Sequence, residues 1–279
     1  MKKDRTNKSM FDLAGRVSVI TGGAGLLGPK HAEALAEFGA SVVLLDQKPQ
    51  VKKIAREIAK RFKTQGLGLI CNITRKAELK HALKLILKKF GRVDILINNA
   101  ANNPAVGAKG LSQNWSRFEN FPLSAWQSDM AAGLTGAFLA SQVLGSEMAR
   151  RKQGVILNIA SDLGLIAPDQ RIYRKPGLFK KEQPVKPVTY SVIKHGILGF
   201  TKYLASYWAE EGIRVNSLSP GGVYTNQPKE FVQRLTAHVP LHRMAKVDEY
   251  KSAIVFLVSD ASNYMTGANL VVDGGRTIW

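Results

Sequence analysis

The chain has 279 residues, 45% of them hydrophobic, which is enough to bury one large core. Forty Lys and Arg against 21 Asp and Glu give a net charge of +19, a field able to hold nucleic acid or an anionic surface non-specifically. The basic runs are not interleaved with aromatics and no nucleic-acid-binding motif occurs, so they read as solvated helix faces and nucleic acid is set aside as a partner.

Residues 1–12 form a polar tail without the apolar run of a secretion signal, and no window approaches 18 uninterrupted apolar residues. The expected setting is therefore the cytoplasm, with no membrane partner. The apolar run Val17-Ser-Val-Ile20 reads as a strand. It leads into a Gly-rich turn and then an Ala-rich helical stretch, His31 to Phe38. Gly23-x-Gly25-x-x-Gly28 in that strand, turn, helix context lets backbone approach a pyrophosphate, with the phosphates at the helix N-terminus. A second strand, Ser41 to Leu45, ends in Asp46, about where an acid meets the ribose hydroxyls of a dinucleotide. Its charge would repel a 2′-phosphate, so NAD is favoured over NADP.

Basic stretches Lys48 to Lys63 and Arg75 to Lys89 read as outer helices flanking the single cysteine, Cys71. One cysteine excludes an internal disulfide and suits a reducing compartment; Cys71 reads as buried filler. A helix begins near Trp126, and the apolar run Val155 to Ala160 ends in Ser161. Strands alternating with helical stretches predict an α/β fold: one Rossmann-type, doubly wound parallel sheet with helices on both faces, residues 13–279 forming a single domain. Between Ser161 and Tyr190 the stretch at about 162–187 shows no helical or strand period and reads as a functional loop. Arg171, Arg174 and Lys175 on it are candidate contacts for an anionic substrate. Tyr190 and Lys194 stand four apart, on one face of a helix, where the ammonium is expected to lower the Tyr pKa from about 10. Such a Tyr can exchange a proton with a substrate hydroxyl. The five histidines show no metal-ligand spacing, so no metal is expected.

These pieces together resemble the short-chain dehydrogenase/reductase family. The likeness rests on Thr21-Gly-Gly-Ala-Gly-Leu-Leu-Gly28, Asn98-Asn-Ala100, Ser161, Tyr190-x-x-x-Lys194, Arg214-Val-Asn216, Pro220-Gly-Gly-Val-Tyr-Thr225 and Met265 to Gly275. It implies that Tyr190 is the general acid/base, that Lys194 holds the nicotinamide ribose and tunes the Tyr, and that Ser161 polarises the reacting oxygen. It further implies a cofactor site of Gly22, Gly25, Leu26, Leu27, Gly28, Asp46, Asn72, Ile73, Asn99, Ala100, Tyr190, Lys194, Pro220, Gly221, Val223 and Thr225. Homodimers or homotetramers built on the Tyr-bearing helix and the last strand are implied too, with Leu198 to Phe200 and Leu270 to Val272 as apolar surface. Trp279 is expected to be buried in a subunit contact or against the substrate loop.

The Gly spacing resembles the sugar-nucleotide-modifying branch, and the long loop and the ending Gly274-Gly-Arg-Thr-Ile-Trp279 are similar to bacterial oxidoreductases of flagellin-modification and nonulosonic-acid pathways. The expected substrate is thus a polar, anionic sugar derivative; a 3-oxoacyl or other small-alcohol reductase is the alternative. One position departs from the family: its fourth catalytic residue, an Asn, falls on Gly133. The expectation is that a water or neighbouring polar group replaces the amide and that Gly133→Asn is tolerated or raises the rate, the contrary reading being a degenerate NAD-binding regulator.

Overall fold

The computed structural model describes residues 6–102 and 115–279; residues 1–5 of the polar tail lie outside them. The tail enters through α1 (Asn7–Met10), one turn capped by the Thr6 hydroxyl, which accepts from the Ser9 N–H at 3.3 Å. Then come β1 (Val17–Thr21), α2 (Gly28–Glu37), β2 (Ser41–Asp46), α3 (Val51–Phe62), β3 (Gly66–Ile70), α4 (Lys76–Phe90) and β4 (Ile95–Asn98). Helices α5 (Leu123–Met130), α6 (Gly136–Ala140) and α7 (Ser146–Arg150) run on through π-helical turns at Ala131–Thr135 and Ser141–Gly145. The remainder is β5 (Gly154–Ile159), α8 (Val188–Tyr207), β6 (Ile213–Pro220), α9 (Lys229–Thr236), α10 (Lys251–Val258) and β7 (Asn269–Val272). All strands pair in parallel, in the order β3-β2-β1-β4-β5-β6-β7.

Burial on both faces explains the near-continuous apolar runs of the inner strands. Alternate residues serve two separate cores. Ile20, Leu44, Ile95, Ile97, Leu157 and Leu218 pack with Leu35, Ala55 and Ile254 on one side. On the other, Val19, Val43, Leu96, Ile156 and Val215 pack with Leu79, Ile86, Leu144, Leu204 and Trp208.

The strand order reverses between β1 and β4, and such a switch point opens a crevice at the carboxyl ends of the strands. Here Thr21 stitches the two strand ends together. Its hydroxyl accepts from the N–H groups of Asn99 at 3.0 Å and Ala100 at 3.1 Å, while Asn99 Nδ2 donates to the Thr21 carbonyl at 2.9 Å. Below it a buried ladder runs from Asn98 Nδ2 to Asn158 Oδ1 at 2.8 Å, and from Asn158 Nδ2 to Thr201 Oγ1 at 2.9 Å. This satisfies the Asn98 amide nitrogen and both amide atoms of Asn158, which would otherwise be costly inside the sheet, and leaves Asn98 Oδ1 buried without a partner among the described residues.

Strand β3, Gly-Leu-Gly-Leu-Ile, carries no strand signal by propensity, because glycine weakens strands. Its glycines serve helix packing. A Cβ on Gly66 would collide with the Ala55 carbonyl, and one on Gly68 would collide with the Val51 carbonyl, so α3 lies directly on the strand backbone. Gly68→Val should therefore cost about 1–3 kcal/mol through overpacking. The measurement is urea unfolding, where the midpoint should fall with the slope unchanged.

Candidate active site

The turn after β1 is built to be small. Gly22 has φ +66, and a Cβ there would sit 2.9 Å from Ala100 Cα. A Cβ on Gly28 would collide with the Gly22 carbonyl. The His31 N–H bonds back to Leu27 O at 2.9 Å, and the N–H groups of the first turn of α2, unbonded among the described residues, are a setting that fits a pyrophosphate. Asp46 holds the same turn: Oδ2 accepts from Ala24 N–H at 2.9 Å and Oδ1 from Lys48 N–H at 3.0 Å. Both oxygens keep acceptor capacity for ribose hydroxyls. Leu26 lies exposed on this turn, whereas Leu27 is partly buried.

Asn72 Oδ1 accepts from the Thr74 N–H at 3.0 Å and hydroxyl at 2.8 Å, and the Asn72 backbone N–H donates to Glu78 Oε2 at 2.7 Å. Ile73 is buried against Gly136, where a Cβ would meet its Cδ1 at 2.5 Å. After β6, the Gly221 carbonyl accepts from the Tyr250 hydroxyl at 2.9 Å. Gln227 closes the following loop, donating to Val223 O at 2.8 Å and accepting from Thr225 N–H at 2.7 Å. The cofactor candidates thus line one edge of the sheet at the ends of β1, β2, β3, β4 and β6.

Ser161 follows β5 and opens a tight 3-10 turn, Asp162–Gly164. Helix α8 rests on this turn so closely that a Cβ on Gly164 would lie 2.8 Å from the Lys194 carbonyl. The contact brings Ser161, Tyr190 and Lys194 together. Lys194 is buried, and its Nζ donates to Ile159 O at 2.7 Å. Burial, with the like charge of Lys186 as a smaller cause, lowers its pKa to about 8. Tyr190 is hydrogen-bonded to Ser161. Its pKa moves up rather than down: burial dominates and outweighs the Ser161 contact. The expected lowering by Lys194 is corrected here, since that ammonium stands 5.7 Å from the Tyr190 ring centroid and points at a carbonyl.

Three charged residues were missed as site residues in the sequence. Asp162 Oδ1 lies 2.7 Å from Ser161 Oγ, and its Oδ2 accepts from Arg276 at 2.7 Å, with both partners of this ion pair almost fully buried. A carboxylate only accepts, so the single Ser161 proton is contested between Asp162 and Tyr190. Lys186, partly buried, sets its Nζ 3.9 Å from the Tyr190 ring centroid. Asp162 directly follows Ser161 and Lys186 lies four residues before Tyr190, so the spacing used for Lys194 could have found the lysine. Nothing local marks Arg276, which arrives from the other end of the chain.

The loop candidates fare differently. Arg171, Arg174 and Lys175 are all exposed, and Arg171 is spent on Asp169, with contacts at 2.9 Å to each carboxylate oxygen. The loop also contains two 3-10 turns, Gln170–Tyr173 and Lys180–Glu182, that periodicity did not reveal. Trp279 does not pack against it, being 74% exposed. Cys71 is buried, as read from the sequence. Among the described residues no cluster of His, Cys, Asp and Glu could hold a metal ion, and no helix is long and apolar enough to cross a membrane.

Gly133 lies within the π-helical turn Ala131–Thr135, so the helix departs from α geometry there without an Asn. One turn earlier, buried Asp129 accepts from the Thr189 hydroxyl at 2.6 Å, tying α5 to α8 beside Tyr190. A Cβ on Gly133 would meet Ile193 Cγ2 at 2.8 Å and Cδ1 at 3.0 Å. This replaces the expectation of tolerance with one of damage. Gly133→Asn should cost about 1–3 kcal/mol by overpacking and lower turnover by displacing the helix that carries Tyr190; thermal unfolding and initial rates check both. Arg276→Met strands a buried carboxylate and should cost about 3–5 kcal/mol, with Asp162→Asn added to it recovering most of the loss in urea titrations.

The profile of the short chain dehydrogenases matches residues 16–173, and one described as enoyl-(acyl carrier protein) reductase matches residues 180–277. NAD-dependent glycerol dehydrogenase of Listeria innocua is 33% identical over 273 residues, 96% of each chain. D-threitol dehydrogenase of Mycolicibacterium smegmatis is 32% identical, over 96% of this chain and 95% of that one. In three dimensions the chain is similar to gluconate 5-dehydrogenase from Burkholderia cenocepacia, solved with NADP and tartrate. That match has a TM-score of 0.84 and 27% identity, covering 98% of this chain and 100% of that one.

Proposed function

The chain belongs to the short-chain dehydrogenase/reductase family and is an NAD(P)-dependent oxidoreductase; from that premise we propose that it moves hydride between NAD and a polyhydroxylated, sugar-type alcohol, with a negatively charged form such as a sugar acid preferred. The gathering of Ser161, Tyr190 and Lys194 beside a turn that admits a pyrophosphate carries the reading. When bound, the dinucleotide supplies the hydride acceptor for alcohol oxidation. Tyr190 in its ionised form would take the hydroxyl proton, Ser161 would contact the reacting oxygen, and Lys194, resting on the Ile159 carbonyl, would hold the nicotinamide ribose. Gly22, Gly25, Leu26, Leu27, Gly28, Asp46, Asn72, Ile73, Asn99, Ala100, Tyr190, Lys194, Pro220, Gly221, Val223 and Thr225 would hold the dinucleotide.

Support for the substrate class comes from the polyol and sugar-acid relatives and from the cations between Ser161 and Tyr190. The proposal stays at that level, since these relatives lend no support to a part in flagellin modification. The 3-oxoacyl-[acyl-carrier-protein] reductases of Aquifex aeolicus and Thermotoga maritima, each 29% identical to this chain, support a 3-oxoacyl reductase as the other reading. A panel of neutral polyols, sugar acids and 3-oxoacyl thioesters, each with NAD or NADP (reduced for the thioesters), separates the two. Assembly into a homodimer or homotetramer is part of the proposal. Exposed Tyr203 and Tyr207 on α8, Val271 on β7, and Ile278 and Trp279 at the C-terminus supply apolar surface for it.

Tyr190→Phe should lower turnover at least about a thousandfold, within the range of an acid/base contribution, while NAD affinity stays nearly unchanged. Lys194→Ala should damage both, so rate and affinity are measured separately. NAD should bind at least about tenfold more tightly than NADP, and Asp46→Ala should narrow that gap; titration with each dinucleotide reads it directly.

A further inference from the structure

We propose that Lys186 is a positioning residue for proton transfer at Tyr190, its ammonium lying over the phenol ring and favouring the ionised phenol. This rests on Tyr190 being the acid/base. The loop between Ser161 and Tyr190 delivers the lysine: Lys186 N–H donates to Gln170 Oε1 at 2.8 Å, and Pro187 caps α8, its carbonyl accepting from the Tyr190 N–H at 3.3 Å. Both ends of the lysine backbone are therefore held, and its side chain returns over the ring that the next turn presents.

At 3.9 Å from the ring centroid Lys186 is closer than Lys194 at 5.7 Å. Lys194 is engaged with the Ile159 carbonyl. A cation over an aromatic face is attracted even to the neutral ring, and a phenolate adds a full opposite charge.

The charges around the ring act in both directions: Asp162 opposes ionisation of Tyr190, and Arg276 favours it. From the turn after β5 come Ser161 and Asp162, from the C-terminal segment Arg276, from the loop Tyr173, from α8 Lys194, and Asp129 of α5 acts on Lys186. Lys186, Lys194 and Arg276 are three cations against two carboxylates, Asp162 and Asp129, and an ionised Tyr190 brings that group to balance. Burial lowers Lys186 to about 8, opposed by Asp162 and Asp129. A phenolate beneath it would hold the ammonium protonated, so the two titrate as a pair.

The test is a titration of tyrosinate absorbance in the near ultraviolet on the full chain saturated with NAD, subtracting Tyr190→Phe to isolate Tyr190. Lys186→Met should move the Tyr190 transition upward by about one pH unit. Lys186→Arg, which restores the cation, should return it close to the wild-type position. If Lys186→Met folds poorly, Lys186→Gln takes its place in the same measurement. A transition that stays where the wild type has it in the neutral variant overturns the proposal. So does loss of NAD binding in both the neutral and the Arg variants, which would make the lysine part of the cofactor site. Substantial turnover by Tyr190→Phe would instead sink the assignment of Tyr190 itself, an outcome read from rates and distinct from the absorbance result.

Discussion

Helix α8 lies in backbone contact with the turn that follows β5, and the candidate chemistry depends on that contact. Gly164 lets the Lys194 backbone come within reach of the turn, and Lys194 Nζ bonds to the last carbonyl of β5. A side chain at Gly164 would lift the helix and separate Ser161 from Tyr190. The same closeness produces the electrostatics: both lysines lose solvent and drop to about 8, while the phenol is pushed up by burial. Proximity and desolvation are thus one structural fact.

The parallel sheet supplies the other half. Because every strand points the same way, the loops after β1, β2, β3, β4, β5 and β6 emerge at one edge, and dinucleotide and catalytic candidates share it without further arrangement. Thr21 and the Asn98–Asn158–Thr201 ladder then fix the strand ends with hydrogen bonds rather than with bulk. Buried charge follows a similar economy: Asp162 and Arg276 neutralise each other while Asp162 also accepts a hydrogen bond from the Ser161 hydroxyl. The surplus of positive charge on α3 and α4 is mostly solvated and separate from this cluster.

Much of this was legible in the chain. The two-faced sheet follows from buried apolar runs alternating with helical stretches, and the Gly-rich turn, Asp46, Ser161, Tyr190 and Lys194 announce themselves by spacing within one or two elements. Strand β3 escaped because its glycines answer to helix α3 rather than to strand propensity. Gly133 was misjudged for a related reason, since the side chain that limits it, Ile193, lies 60 residues further along the chain.

What the sequence determined by itself was the set of local devices: periodicities of two and of 3.6, a turn of small residues, and an i,i+4 pair on a helix. Each depends on covalent neighbours, so each can be read in order along the chain. Only the tertiary structure decided the direction of the Tyr190 shift, the ion pair of Asp162 with Arg276, the placement of Lys186 over the ring, and the pairing of Arg171 with Asp169. Desolvation and charge pairing depend on what folds against a group from distant segments, and no local pattern encodes that distance.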